Sequence, residues 1–173
     1  MKIMAVGEDI MESMGDGNYH EELVKGDRVR ANTPRKINER INRDIQKSLL
    51  YYAEQPEYEI TARIEELDKE WDIERILEAN AGTLAFLGVM LGFSKNKNWF
   101  LLSGIVTAFL FQHAVQGWCP PVSLFRRLGV RTRKEIDVEK YALKALRGDY
   151  DAVSSHDDRK DRALQALNGS TNI

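Results

Sequence analysis

The chain is predicted to be all-α: a two-helix transmembrane hairpin flanked by amphipathic cytoplasmic helices. Three observations predict it. From Ala79 to Phe125 only Lys95 and Lys97 are charged, although 25 Lys+Arg and 27 Asp+Glu are spread through the 173 residues. Those two lysines share a short polar break, Ser94 to Asn98, which divides the quiet stretch into two apolar arms. On either side of the arms, apolar residues recur at helical spacing within charged sequence.

Five segments follow from this pattern. Residues 1–32 mix glycine, acids and isolated apolar residues without a helical period and are expected to be flexible. Residues 33–78 form a cytoplasmic helical region. Thr33-Pro34 supplies a cap and a first-turn proline, and Ile37, Ile41, Ile45 and Leu49 then make one stripe at steps of four. Pro56 restarts the pattern with Ile60, Ile64, Leu67 and Trp71, a seam that calls for the preceding helix or a second copy as its partner. No Gly or Pro lies between Pro56 and Gly82, so this helix is expected to run into the membrane without a break.

Residues 79–130 are the hairpin domain. The arm from Asn98 to Gly117 lacks full charge and is long enough for a hydrocarbon core of roughly 30 Å. Trp99 opens this arm at the turn, and Trp71 and Trp118 stand at the far ends, where interfacial aromatics belong. Pro120-Pro121 is expected to stop the second arm. Val122 to Leu128 follows as a short interfacial helix, with Arg126 and Arg127 toward phosphate. In residues 131–149, Thr132-Arg133-Lys134-Glu135 is a capping box. It opens a helix whose apolar face is Val138, Tyr141, Ala142, Ala145 and Leu146 and which ends at Gly148. Residues 150–173 read as a flexible tail with a transient helical turn at Ala163 to Leu167.

Charge sets the orientation and removes some function classes. Lys69, Arg75, Arg126, Arg127, Arg131, Arg133 and Lys134 flank the open ends, against two lysines at the turn, which places both termini in the cytoplasm. The formal net charge of −2 offers no basic domain for nucleic acid. Cys119 is the single cysteine, so neither an intramolecular disulfide nor a CxxC motif exists in these 173 residues. Acids interrupt the first residues, leaving no apolar signal core, and the hairpin is expected to do the targeting.

Three features of the hairpin could carry function. Ala81, Ala85, Gly88 and Gly92 form a stripe of small residues, and Ser103 with Thr107 and Gly104 with Ala108 offer similar pairs. Small residues let membrane helices approach closely, either within one hairpin or between two. Folding the hairpin is also expected to bring Asn80 level with Gln112, His113 and Gln116, as a layer near the interface that either reaches water or forms a polar cluster leading to Cys119. Cys119 itself reads as an inert interfacial residue, as a thiol activated by Arg126 and Arg127, or as half of a metal site that only a dimer could complete with His113. No Ser/His/Asp set, phosphate-binding glycine loop or carboxylate pair on an apolar cleft is visible, so no catalytic residues, cofactor or resident metal are expected.

Gly117-Trp118-Cys119-Pro120, followed by Leu124 and Leu128-Gly129-Val130, resembles the YgaP-like family of bacterial inner-membrane hairpins, a domain of unknown function with a Gly-x-Cys-Pro signature. The resemblance covers roughly Glu78 to Val130. It implies a hairpin that dimerises in the inner membrane; in the family's type protein the hairpin tethers a rhodanese module that handles sulfane sulfur. No rhodanese active-site loop stands in these 173 residues, so sulfurtransferase activity does not carry over. The expectation is a dimerising anchor or scaffold in the bilayer, with a membrane or cytoplasmic protein as a further partner. The alternatives are sulfur or redox handling through Cys119 and a soluble helical adaptor.

Overall fold

The computed structural model describes residues 26–154 and 158–171. Among them are nine α-helices and no strand: α1 (Arg28–Ala31), α2 (Arg35–Tyr52), α3 (Glu57–Lys69), α4 (Ile73–Ser94), α5 (Trp99–Gln116), α6 (Pro120–Arg127), α7 (Arg133–Arg147), α8 (Asp151–Ser154) and α9 (Arg159–Thr171). Most of the segment expected to be flexible, residues 1–25, lies outside the described residues. The chain divides into two units: Ala81–Ser123 with the described residues of Met1–Thr33, and Pro34–Asn80 with the described residues of Leu124–Ile173.

Two helices are long and apolar enough to cross a membrane, one within Glu57–Ser94, whose part from Ala81 on belongs to the first unit, and the other Trp99–Gln116, which lies wholly in it. Their large side chains point outward, with Phe93 82 % and Phe111 72 % exposed. They meet each other through small residues. Ser103 Oγ donates to the Ala85 carbonyl at 2.8 Å, and a Cβ on Gly88 would lie 2.4 Å from that same Oγ. A Cβ on Gly92 would fall 2.8 Å from the Phe100 ring, which also meets Phe93 edge to face at 5.1 Å.

The second arm ends earlier than the prolines suggest. Gly117 at φ +70° forms a left-handed cap on α5, and a Cβ there would sit 2.3 Å from Arg28 Cβ. Both the backbone angle and the close approach therefore require glycine. Pro120 and Pro121 instead open α6, where a missing N–H costs nothing. The freed carbonyls at the end of α5 find donors on the α1 segment: Arg28 Nη1 reaches Ala114 O at 2.6 Å, and Asn32 Nδ2 reaches Gln116 O at 3.0 Å.

The second unit packs α2, α3 and α7 around a small apolar core. Ile60, Ile64 and Leu67 of α3 are buried against Ile136 and Leu143 of α7, with Leu49 and Tyr52 of α2 beside them. Each such side chain contributes about 1.5–3 kcal/mol. The seam on α3 is thus filled from within the chain, by α7 and not by a second copy. Ile41 and Ile45 of the α2 stripe are buried as expected. The Thr33 cap does not form: its Oγ1 donates back to Val29 O at 2.7 Å, and α2 starts after Pro34 without a side-chain cap.

Three further expectations change. The helix from Pro56 does not run on into the membrane. Glu70 is extended at ψ 133°, α4 restarts at Ile73, and Asp72 Oδ1 accepts from Arg75 N at 2.8 Å as a helix start does. The buried side of α7 is Ile136, Glu139, Leu143 and Lys144, while Tyr141 and Leu146 are exposed. The described residues of the tail are helical for the most part: α9 brings Gly169 so near Tyr150 that a Cβ would touch Asp149 O at 2.5 Å, and Lys144 Nζ donates to Ser170 O at 2.9 Å. The capping box Thr132/Glu135 and the Gly148 cap of α7 are present as read.

Candidate functional site

The polar residues of the first unit lie along the last turns of α5. Gln112 Nε2 points to Gln116 Oε1 at 3.4 Å, one helical turn on. His113 is buried at 5 % exposure, and Cys119, between α5 and α6, at 2 %. A thiol so enclosed is shielded from reagents in water. Asn80 belongs to the second unit, where its Nδ2 caps back to Ile76 O of its own helix at 2.7 Å. Among the described residues no group of three or more His, Cys, Asp or Glu side chains is placed to hold a metal ion.

The small residues divide by environment. Gly88 and Gly92 are consumed by contact with α5, whereas nothing lies within 4 Å of a Cβ built on Gly82 or Gly104. Ala81 and Ala85 are half-buried and Ala108 is exposed. Thr107 Oγ1 donates to Ser103 O of its own helix at 2.8 Å. Trp71, Trp99 and Trp118 are 48 %, 43 % and 36 % exposed. Arg75 stacks over the Trp71 ring at 4.3 Å, and Trp118 Nε1 donates to Ser123 Oγ at 3.1 Å.

The densest polar chemistry is in the second unit. Arg126, expected to face phosphate, is 1 % exposed and turns inward. Its Nη1 and Nη2 donate to the two oxygens of Glu135 at 2.6 and 2.8 Å, and Nη2 also reaches Asn38 Oδ1 at 2.9 Å. Burial of an arginine at an apparent interface follows from the carboxylate nine residues on, which the capping box already draws inside. Arg127 remains exposed.

A second ion-pair network lies alongside. Glu139, 1 % exposed, accepts from Ser48 Oγ at 2.6 Å, from Arg63 Nη2 at 3.0 Å and from Arg131 Nη1. Burial opposes its ionisation, but the hydrogen bonds from Ser48 and Arg131 and the two guanidinium charges outweigh it and hold its carboxyl below the usual value. The same Arg131 pairs with Glu70, and Arg133 Nε pairs with Asp72 Oδ2 at 2.9 Å. Arg131 O further accepts from Ile73 N at 2.9 Å. These bonds fix the break between α3 and α4, which explains a helix interruption without Gly or Pro.

A cavity of about 310 Å³ opens beside this network, lined by Ile41, Ser48, Arg63, Glu70, Arg131 and Glu139 among others. Sequence reasoning missed Glu139 and Arg131 because charges in such sequence are usually solvated. A signal existed: Glu139 stands three residues after Ile136 and four before Leu143, inside the buried stripe of α7.

Neither a curated protein nor a solved structure matches the chain. Residues 72–135 match the family model described as inner membrane protein YgaP-like, transmembrane domain. The match reaches beyond the Gly-x-Cys-Pro stretch at both ends, from Asp72 at the head of α4 to Glu135, the buried partner of Arg126. With its two outward-apolar helices, the chain is a membrane protein, and its residues 72–135 are similar to the YgaP-like inner-membrane transmembrane domain.

Proposed function

We propose that the chain is an inner-membrane anchor that works as a homodimer and presents its charged helical unit in the cytoplasm. The observation that carries this reading is the division of labour in the sequence. Two apolar helices expose their large side chains, while the second unit builds its own core and ion-pair networks from α2, α3, α6 and α7. An anchor needs both parts. Self-association draws on the outer face of α5, where Gly104 meets nothing within 4 Å and lies four residues from the exposed Ala108, a small-residue pair of the kind that lets membrane helices associate. The α3 seam gives it no support, since α7 fills that seam.

Alkaline carbonate extraction of native membranes tests the anchor, and a Gly104→Cys variant tests the dimer. The expected outcome is retention in the membrane pellet, with a disulfide-linked dimer at residue 104 on mild oxidation that Cys119 alone does not give. Release by carbonate refutes the anchor, and a persistent monomer refutes the dimer. A thiol-based role for Cys119 is less well supported, because that side chain is only 2 % exposed.

A further inference from the structure

The outward face of α2 is a row of cations. Lys36, Arg40, Arg43 and Lys47 follow at steps of four, three and four and so share one stripe, opposite the buried Ile41 and Ile45. All four are exposed. Leu50 and Tyr51 continue this face at the end of the helix, 49 % and 60 % exposed. The nearest acids stand at its borders: Glu39 is paired with Arg35 at 2.6 Å, and Asp44, which is exposed, also lines the rim of the cavity, leaving four cations against one exposed acid on this side of α2.

Arg40 ties this row to α6. Its Nη2 donates to the Arg127 carbonyl at 2.9 Å, at the C-terminal end of α6 where the last carbonyls lack helical partners. Next to that contact α6 and its following turn expose Arg127, Leu124 (57 %) and Leu128 (72 %). In sequence, only three residues separate the end of the membrane helix α5 from the start of α6.

We infer that the cation row of α2, with Leu124, Arg127 and Leu128, rests on the anionic phospholipid headgroups of the bilayer that holds the chain. Charge complementarity selects this occupant. A line of cations beside exposed apolar side chains is the composition that binds a negatively charged leaflet, where the cations take the headgroups and the leucines enter the acyl boundary. Continuity in sequence between the membrane helix α5 and α6 brings that leaflet within reach. The inference rests on the anchor reading.

The test uses the full chain with Cys119→Ser and Leu50→Cys, carrying an environment-sensitive fluorophore at residue 50 and reconstituted in phosphatidylcholine vesicles with or without phosphatidylglycerol. Phosphatidylglycerol is expected to shift the emission to the blue and reduce quenching by aqueous iodide, and about 1 M salt is expected to reverse both. Replacing one cation, Lys47→Gln, should move the docked-to-free ratio by about fivefold, and Lys36→Glu/Lys47→Glu should abolish the shift while leaving the Arg40 contact in place. Equal emission in both vesicles, with the chain retained after alkaline carbonate, overturns the inference and leaves the anchor standing. A shift that survives the double charge reversal overturns it equally. Loss of the chain from the vesicles overturns both.

Discussion

Arg126 and Glu135 form a pair in which each partner is 1 % exposed, so neither charge has water to fall back on. Removing one leaves the other buried without compensation, an error that costs about 3–5 kcal/mol, whereas replacing both with apolar residues of similar size is often close to neutral. Arg126→Met is therefore expected to lower stability far more than Arg126→Met/Glu135→Leu, measured by thermal unfolding of the detergent-solubilised protein followed by circular dichroism. The double variant should not recover fully, because Glu135 also accepts from Thr132 N at 2.9 Å and a lost cap costs about 1 kcal/mol. Equal losses in the single and double variants would show that the pair is not isolated from water. The capping box was legible from Thr132 and Glu135 alone, because its geometry is local. The partner of Glu135 was not, because an arginine next to a membrane helix has two destinations and only the tertiary fold chooses between them.

Among the elements, the pairing of α4 with α5 makes a sharp contrast between two glycines. At Gly88 a methyl group would lie 2.4 Å from Ser103 Oγ and 3.0 Å from the Trp99 carbonyl, and the backbone cannot swing away as a side-chain tip can. At Gly104 it would meet open space. Gly88→Ala is expected to separate the helices and shift Trp99 emission, while Gly104→Ala, which meets no group of its own chain, leaves emission unchanged. The same emission in both variants would contradict the contact. Apolar periodicity found α2 and most of the α3 seam because those stripes consist of Ile and Leu. It misplaced the buried side of α7 because Glu139 and Lys144 are inside, each satisfied by donors or acceptors from distant parts of the chain. Trp71 fell out of the seam for a related reason: α3 stops at Lys69 and α4 starts at Ile73, so the tryptophan lies in the break between the two helices and not on the stripe.

For the molecule as a whole, the membrane assignment was legible in composition, since charge is nearly absent from one stretch and dense elsewhere. The proposed orientation, with both termini in the cytoplasm, rests on the lysine and arginine bias and predicts opposite accessibility at two exposed positions. In a Cys119→Ser background, Lys97→Cys should react with a membrane-impermeant maleimide in intact cells, and Ser154→Cys only after permeabilisation; the reverse pattern would invert the topology. The break between α3 and α4 was not legible, because nothing in residues 70–72 forbids a helix. Arg131 and Arg133 impose it by holding Glu70 and Asp72. The bend between α3 and α4 is thus held from 61 residues further along the chain, by Arg131 on Glu70 and Arg133 on Asp72, and not by a glycine or proline at the bend itself.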